Sequence, residues 1–465
     1  MRYISTRGEA PALGFEDVVL AGLARDGGLY VPDVWPQISH DAIARLAGRP
    51  YAEVAVEVIH PFTGGEIGRD TLAAMARDAY AGFGHAAVTP LVQIAPGRFV
   101  LELFHGPTLA FKDLAMQLLA RLMDHVLEKR GERATIVAAT SGDTGGAAVE
   151  AFRASKRVDL IVLFPDGRVS DVQRRMMTTP GEANVHAVAV QGTFDDCQAL
   201  VKAMFNHHAF RDRVRLTGVN SINWARIVPQ IAYYFAAAVA LGGPRRPVSF
   251  VVPTGNFGDI FAGYAAKRMG LPIDRLVIAS NDNDILPRTV ASGVYEKRGV
   301  VATTSPSMDI EVSSNFERWL FEAGGRDGGA IRRQMASLQQ AGRFEVSGGA
   351  AALAQDFDAA PASEADVAAT IRRTLGGAGY LADPHSACGI LAAERTARPD
   401  GVPQVVLATA HPVKFPDTMT AVTGARPGLP PRLCALMTDP ERITVLPNEI
   451  ARVESYIADI ARAVR

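Results

Sequence analysis

Cysteine is scarce in this chain of 465 residues: Cys197, Cys388 and Cys434 are the only three, far apart and odd in number. That argues against a disulfide framework, fits a reducing compartment, and leaves no pair at zinc-binding spacing. Net charge is nearly absent too, with 48 Lys and Arg against 49 Asp and Glu. No global field therefore draws the protein to nucleic acid or an anionic membrane, and either a monomer or a homodimer is compatible with such a surface. Long hydrophobic runs are missing. The longest, Ile231 to Leu241, is shorter than the roughly 20 residues a membrane helix needs and contains Tyr233 and Tyr234. The N-terminus lacks the apolar core of a secretory signal, and Glu9 and Glu16 count against a transit peptide. These absences predict a cytoplasmic protein without a metal site.

The length exceeds the roughly 250 to 300 residues at which one hydrophobic core stops growing, so two or three lobes are expected. Residues 1–90 carry helical spacing, with Phe15, Val18, Val19 and Leu23 on one face. The turn Asp26-Gly27-Gly28 and a short strand at Leu29-Tyr30-Val31 follow. This stretch reads as a small packing domain. From residue 97, short β-rich runs alternate with helical patterns: Phe99–Leu101, Ala134–Ala138, Leu160–Leu163, Val185–Val190, Val248–Val252, Leu276–Ile278 and Val405–Leu407 are the expected strands. Such alternation predicts α/β architecture, parallel sheet covered by helices, with ligands gathered beyond the carboxyl ends of the strands. Residues 323–362, rich in Gly, Ala and Ser, read as an exposed helix and loop insertion. Thr193 to Asp196 and Ser363 to Asp366 have the spacing of helix caps.

Four segments could carry chemistry. Phe104-His105-Gly106-Pro107-Thr108-Leu109-Ala110-Phe111-Lys112-Asp113 sets a lysine after a tight turn at the start of a helix, a place for a covalent anchor. Thr140-Ser141-Gly142-Asp143-Thr144-Gly145-Gly146 follows a strand and opens a helix, offering N–H groups and hydroxyls to a carboxylate. Gly255-Asn256-Phe257-Gly258-Asp259 does the same with two glycines that admit an anion closely. It fits neither a Walker A loop nor the dinucleotide fingerprint. Asn220-Ser221-Ile222-Asn223-Trp224-Ala225-Arg226 ends in a guanidinium suited to a phosphate. Read alone, each is also compatible with a plain capped helix start, and Arg226 with a surface pair.

Together these segments resemble threonine synthases, from about residue 100 to residue 420, and residues 1–90 resemble that family's N-terminal domain. The resemblance implies a fold type II pyridoxal 5'-phosphate enzyme of two mostly parallel, helix-covered lobes. Its core would span 91–430, and a C-terminal helical tail, 431–465, would pack on it. Lys112 matches the lysine that forms the Schiff base with the cofactor. Gly255, Asn256, Phe257, Gly258 and Asp259 match the cofactor phosphate loop, with Asp259 expected to orient that loop or reach the anion through water. Thr409 falls beside the pyridine nitrogen, where a hydroxyl leaves the electron sink mild. Ser141, Asp143 and Thr144 fall at the substrate carboxylate, and Ser221, Asn223 and Arg226 are expected at the substrate phosphate. Asp143 stands where sister enzymes often carry asparagine. The implied reaction is O-phospho-L-homoserine plus water to L-threonine and phosphate, by γ-elimination and β-addition of water. A phospho-lyase releasing 2-oxobutyrate and a catalytically silent cofactor-binding protein are the alternatives. His411 is expected to be structural, Lys414 has no assigned role, and Asp383 to Gly389 is read as a helix start rather than a nucleophile.

Overall fold

The computed structural model describes residues 1–399 and 401–464. Its strands, in chain order, are β1 (Tyr3–Ser5), β2 (Tyr30–Pro32), β3 (Leu91–Ala95), β4 (Arg98–Glu102), β5 (Ala134–Ala139), β6 (Val158–Pro165), β7 (Val185–Gln191) and β8 (Leu216–Thr217), followed by β9 (Val248–Pro253), β10 (Ile273–Ser280), β11 (Val294–Glu296), β12 (Arg343–Glu345), β13 (Phe357–Pro361), β14 (Gln404–Ala408) and β15 (Thr444–Pro447). One lobe is built on a sheet of order β13-β10-β9-β14-β4-β3, parallel except where β3 folds back on β4. The other has an all-parallel sheet of order β15-β7-β6-β5-β8. β6 and β9 are buried at every position, as expected of strands covered on both faces. The α/β architecture of two lobes and a small N-terminal unit is therefore present.

Residues 323–362 differ from expectation. They hold the helices Gly328–Ala341 and Gly349–Asp356 and also β13, which extends the larger sheet beyond β10. The strand sequence Phe-Asp-Ala-Ala-Pro has little β-propensity of its own; pairing at a sheet edge makes it a strand. The expected C-terminal tail likewise carries a strand, β15, on the edge of β7, besides the helix Ile450–Ile460; its last residue, Arg465, lies outside the described residues. Near the N-terminus the first helix ends at Ala21 with Gly22 at positive φ (67°), leaving Leu23 outside the helix. Both expected caps are full capping boxes, at Thr193 and at Ser363.

The helix Trp224–Ala240, apolar apart from Arg226, Gln230 and two tyrosine hydroxyls, is buried along nearly its whole length, the pattern of a helix with no solvent face. It packs against the N-terminal helix Tyr51–Ile59, the helix Lys112–Arg130 of one lobe and the helix Gly258–Arg268 of the other. Trp224 sits at this junction, its ring centroid 6.0 Å from Tyr3, 6.1 Å from Trp35 and 5.8 Å from Phe62. Polar ties reinforce it: Arg7 pairs with Glu317 at 3.0 Å, and Trp35 donates to Glu322 at 3.0 Å. Trp224→Ala is expected to remove about 3–5 kcal/mol of stability, measured as a lower urea midpoint.

Candidate active site

The helix Lys112–Arg130 begins directly after the turn 106–109, and that turn is fixed by the helix itself. The Asp113 carboxylate accepts from the Thr108 backbone N–H at 2.8 Å and the Thr108 hydroxyl at 2.6 Å. A methyl group on Gly106 would fall 2.4 Å from Asp113 Oδ2, so only glycine lets the two approach. Burial raises the Asp113 carboxyl to about 6 against the pull of Thr108 and Lys414. Leu109 takes a left-handed backbone, φ 61°. Residues 109–111 then run antiparallel to 409–411: Phe111 N–H donates to the Thr409 carbonyl at 2.8 Å and His411 N–H to the Leu109 carbonyl at 3.0 Å. This ladder sets Thr409, the residue after β14, opposite Phe111, the residue before Lys112. Its hydroxyl makes no hydrogen bond among the described residues.

Lys112 Nζ reaches Asp143 Oδ2 at 3.3 Å and the Ser307 hydroxyl at 3.5 Å. The second Asp143 oxygen takes Lys414 Nζ at 2.6 Å and Gln173 Nε2 at 2.9 Å. Burial alone would raise the Asp143 carboxyl, but the charges of Lys414 and Lys112 outweigh it and hold the group well below the usual carboxylate range. Burial pulls the Lys112 amine down; Asp143 opposes that shift, and Lys414 and Arg226 add to it. Asp143 is thus an ionised partner of two lysines. It cannot also receive a substrate carboxylate, which corrects the substrate contact expected of it. Ser141 and Thr144 remain beside it, their hydroxyls without a hydrogen-bond partner among the described residues, on a loop held by Thr140 Oγ1, which accepts from Gly142 N–H at 2.9 Å and Gly145 N–H at 2.8 Å.

The loop 255–258 leads from β9 into the helix Gly258–Arg268 with no side-chain cap, Phe257 standing at the cap position at φ 63°. The helix's positive end is left for an anion. A Cβ on Gly255 would lie 2.8 Å from the Ser307 carbonyl oxygen, which brings this loop against the segment that touches Lys112. Asn256 is exposed on the loop, its carbonyl held by Asn315. The Asp259 carboxylate instead turns into the helix pair, accepting from the Tyr233 and Tyr234 hydroxyls, and burial raises it to about 7. Both bonds fall on Oδ1, and Oδ2 has no hydrogen-bond partner among the described residues.

Ser221 lies beside the same loop, its Cβ 3.6 Å from where a Cβ on Gly258 would be. Arg226 is buried at 3 % exposure, gives one N–H to the Val219 carbonyl at 2.7 Å, and leaves Nε without a partner. Burial lowers it to about 10, and it has no carboxylate in an ion pair. A buried guanidinium without a counter-ion is costly unless an anion joins it. Asn223 is spent on structure: its amide donates to the Val19 and Gly218 carbonyls at 3.0 and 3.2 Å and its oxygen caps the helix at Ala225 N–H, 2.9 Å. The phosphate contact expected of Asn223 is therefore corrected to a capping role.

Sequence reading missed Ser307, Gln173 and Thr140, and found no role for Lys414. Thr140 opens the Gly-rich loop 140–146, whereas Gln173, Ser307 and Lys414 lie outside any such loop, and Ser307 reaches the site only through the fold. His385, read as structural, caps nothing itself: its Nδ1 meets Asp383 at 2.7 Å and its Nε2 accepts from Ser307 N–H at 3.2 Å. His411 accepts from Val413 N–H at 3.2 Å, and burial lowers it to about 4, a neutral structural ring.

A lysine, an uncapped glycine-rich helix start, an unpaired buried arginine and an open threonine hydroxyl suit an aldehyde bearing a phosphate. Fold and site define a pyridoxal-phosphate-dependent enzyme of fold type II, and residues 83–409 match the family described as pyridoxal-phosphate dependent enzyme. Residues 2–80 match "Threonine synthase N terminus" and 386–457 match "Threonine synthase, C-terminal". The chain is 51 % identical to the threonine synthase of Pseudomonas aeruginosa over 460 residues, covering 98 % of each, and 40 % identical to that of Saccharomyces cerevisiae, covering 90 % of this chain and 88 % of that one. The crystal structure of pyridoxal-phosphate-bound threonine synthase from Brucella melitensis superposes with a TM-score of 0.97 at 60 % identity, covering 99 % of this chain and all of that one. The yeast threonine synthase structure follows at 0.93 and 36 %, covering 99 % of this chain and 98 % of that one. The chain belongs to the threonine synthase family. Gly106→Ala is expected to break the Thr108 clasp and cost about 1–3 kcal/mol, seen as a lower melting temperature with the cofactor present.

Proposed function

We propose that the protein converts O-phospho-L-homoserine and water to L-threonine and phosphate in the cytoplasm, with Lys112 as the amine that anchors the cofactor and then moves protons. The observation that carries this reading is the arrangement around Lys112: a part-buried amine between Asp143 and Ser307, with two separate anion sites nearby. Pyridoxal phosphate, when bound, supplies the electron sink that the side chains lack. The loop of Gly255, Asn256, Phe257 and Gly258 would hold its phosphate, Asp259 would brace that loop from behind, and Thr409 would face the ring nitrogen with a hydroxyl. A second anion, the phosphate of the substrate, would meet Arg226 and Ser221. The substrate carboxylate would take the Ser141 and Thr144 hydroxyls and neighbouring N–H groups at the start of the helix Asp143–Phe152.

Lys112 is suited to proton transfer because burial lowers its basicity while Asp143 keeps it in place. Family membership disfavours both the phospho-lyase and the silent-protein alternatives. The direct check is product analysis with O-phospho-L-homoserine, together with borohydride reduction that should fix the cofactor on Lys112. Threonine and phosphate in equal amounts are expected, and 2-oxobutyrate as the main product would refute the assignment. Arg226→Ala should raise KM for this substrate about 10- to 100-fold, from the loss of hydrogen bonds to a charged group, while cofactor absorbance stays.

A further inference from the structure

The geometry points to Lys414 as a positioning residue for Lys112, acting through Asp143: its buried ammonium occupies one oxygen of that carboxylate, so the other oxygen can hold the Lys112 amine without locking it as an ion pair. Lys414 is 1 % exposed, and its Nζ lies 2.6 Å from Asp143 Oδ1 and 2.9 Å from the Thr108 carbonyl. A lysine buried this completely needs a reason, since desolvating an ammonium is costly unless it is paired. The pair it makes spans two elements that both define the site. Thr108 belongs to the turn that leads into Lys112, and Asp143 begins the helix that faces it. Lys414 itself sits on the short turn Pro412–Lys414, directly after the segment that ladders onto 109–111.

Two lysines on one carboxylate leave the cluster with a surplus positive charge. Asp143 alone would stabilise Lys112 as an ammonium, which cannot attack a carbonyl. With Lys414 on its other oxygen, Asp143 still aims the amine, but part of its field is cancelled and the nearby cation opposes protonation of Lys112. The remaining groups facing Lys112 act in the same sense or are neutral: Arg226 on the helix Trp224–Ala240 is a further cation, and Ser307 is an uncharged hydroxyl. Gln173 completes Asp143 Oδ1 without adding charge. Asp113, on Lys112's own helix, is turned to Thr108.

The inference rests on Lys112 as the reactive amine, and its test does not depend on which substrate the enzyme turns over. Trace acylation of amines on the full-length protein stripped of cofactor, with the Lys112 peptide quantified by mass spectrometry across neutral to alkaline pH, gives the midpoint of Lys112 directly. Lys414→Met should raise that midpoint by about one unit or more, Asp143→Asn should lower it by a similar amount, and Lys414→Arg should leave it near the parent value. A purely structural role predicts shifts of the same sign in Lys414→Met and Asp143→Asn, or none, and either result overturns the inference. Should Lys414→Met fail to fold by circular dichroism, Lys414→Gln decides: a raised midpoint sustains the inference, and an unchanged or lowered one removes it.

Discussion

The helix Trp224–Ala240 is the constraint on which the rest of the molecule depends. With no solvent face, it can be stable only when all its neighbours are in place, and those neighbours come from the N-terminal domain and from both lobes. Burying it therefore fixes the lobes relative to one another. The same helix brings Arg226 into the cleft on its first turn, while Asn223 caps it by gripping Val19 and Gly218 across two other segments. The N-terminal domain, which carries no candidate catalytic group, helps to hold the site by bracing this helix.

Around that frame the site is a balance of buried charges. Cations outnumber anions: Lys112 and Lys414 share the ionised Asp143 and Arg226 has no ion-pair partner among the described residues, while Asp113 and Asp259 are raised toward neutrality by burial. Such a site suits ligands that bring negative charge. Arg318 shows the contrast. It is equally buried, yet its N–H groups are consumed by the Tyr30 and Ile222 carbonyls and by Asn315, and its charge stacks on Trp224. It serves as a clamp between the lobe and the N-terminal domain, whereas Arg226 keeps a nitrogen in reserve.

Much of this was legible in the sequence where local chemistry dictates structure. The seven expected strands lie within β4, β5, β6, β7, β9, β10 and β14, because buried parallel strands read as continuous apolar runs. The glycine-rich loops that open the helices Asp143–Phe152 and Gly258–Arg268 were visible as well, since glycine permits close backbone approach. What escaped were partners defined by distance along the chain. Gln173 and Lys414 meet Asp143 from helical and turn positions with no distinctive neighbours, and Ser307 comes from a segment whose folding depends on Asn281, Thr303 and Asp309. A role was misassigned where a residue's type suited one task and its surroundings gave it another: Asn223 caps a helix. The edge strands β13 and β15 were missed for the same reason, as their pairing partners make them strands.

The ladder between 109–111 and 409–411 has a consequence for the order in which the protein is made. Lys112 leaves the ribosome early, whereas Thr409 and Lys414 are among the last residues of the catalytic core to emerge. Until they arrive, the turn before Lys112 lacks its backbone partners and Asp143 lacks its buried cation. A nascent chain therefore has Lys112 but not the environment around it, which is completed only when Thr409 and Lys414 have been made.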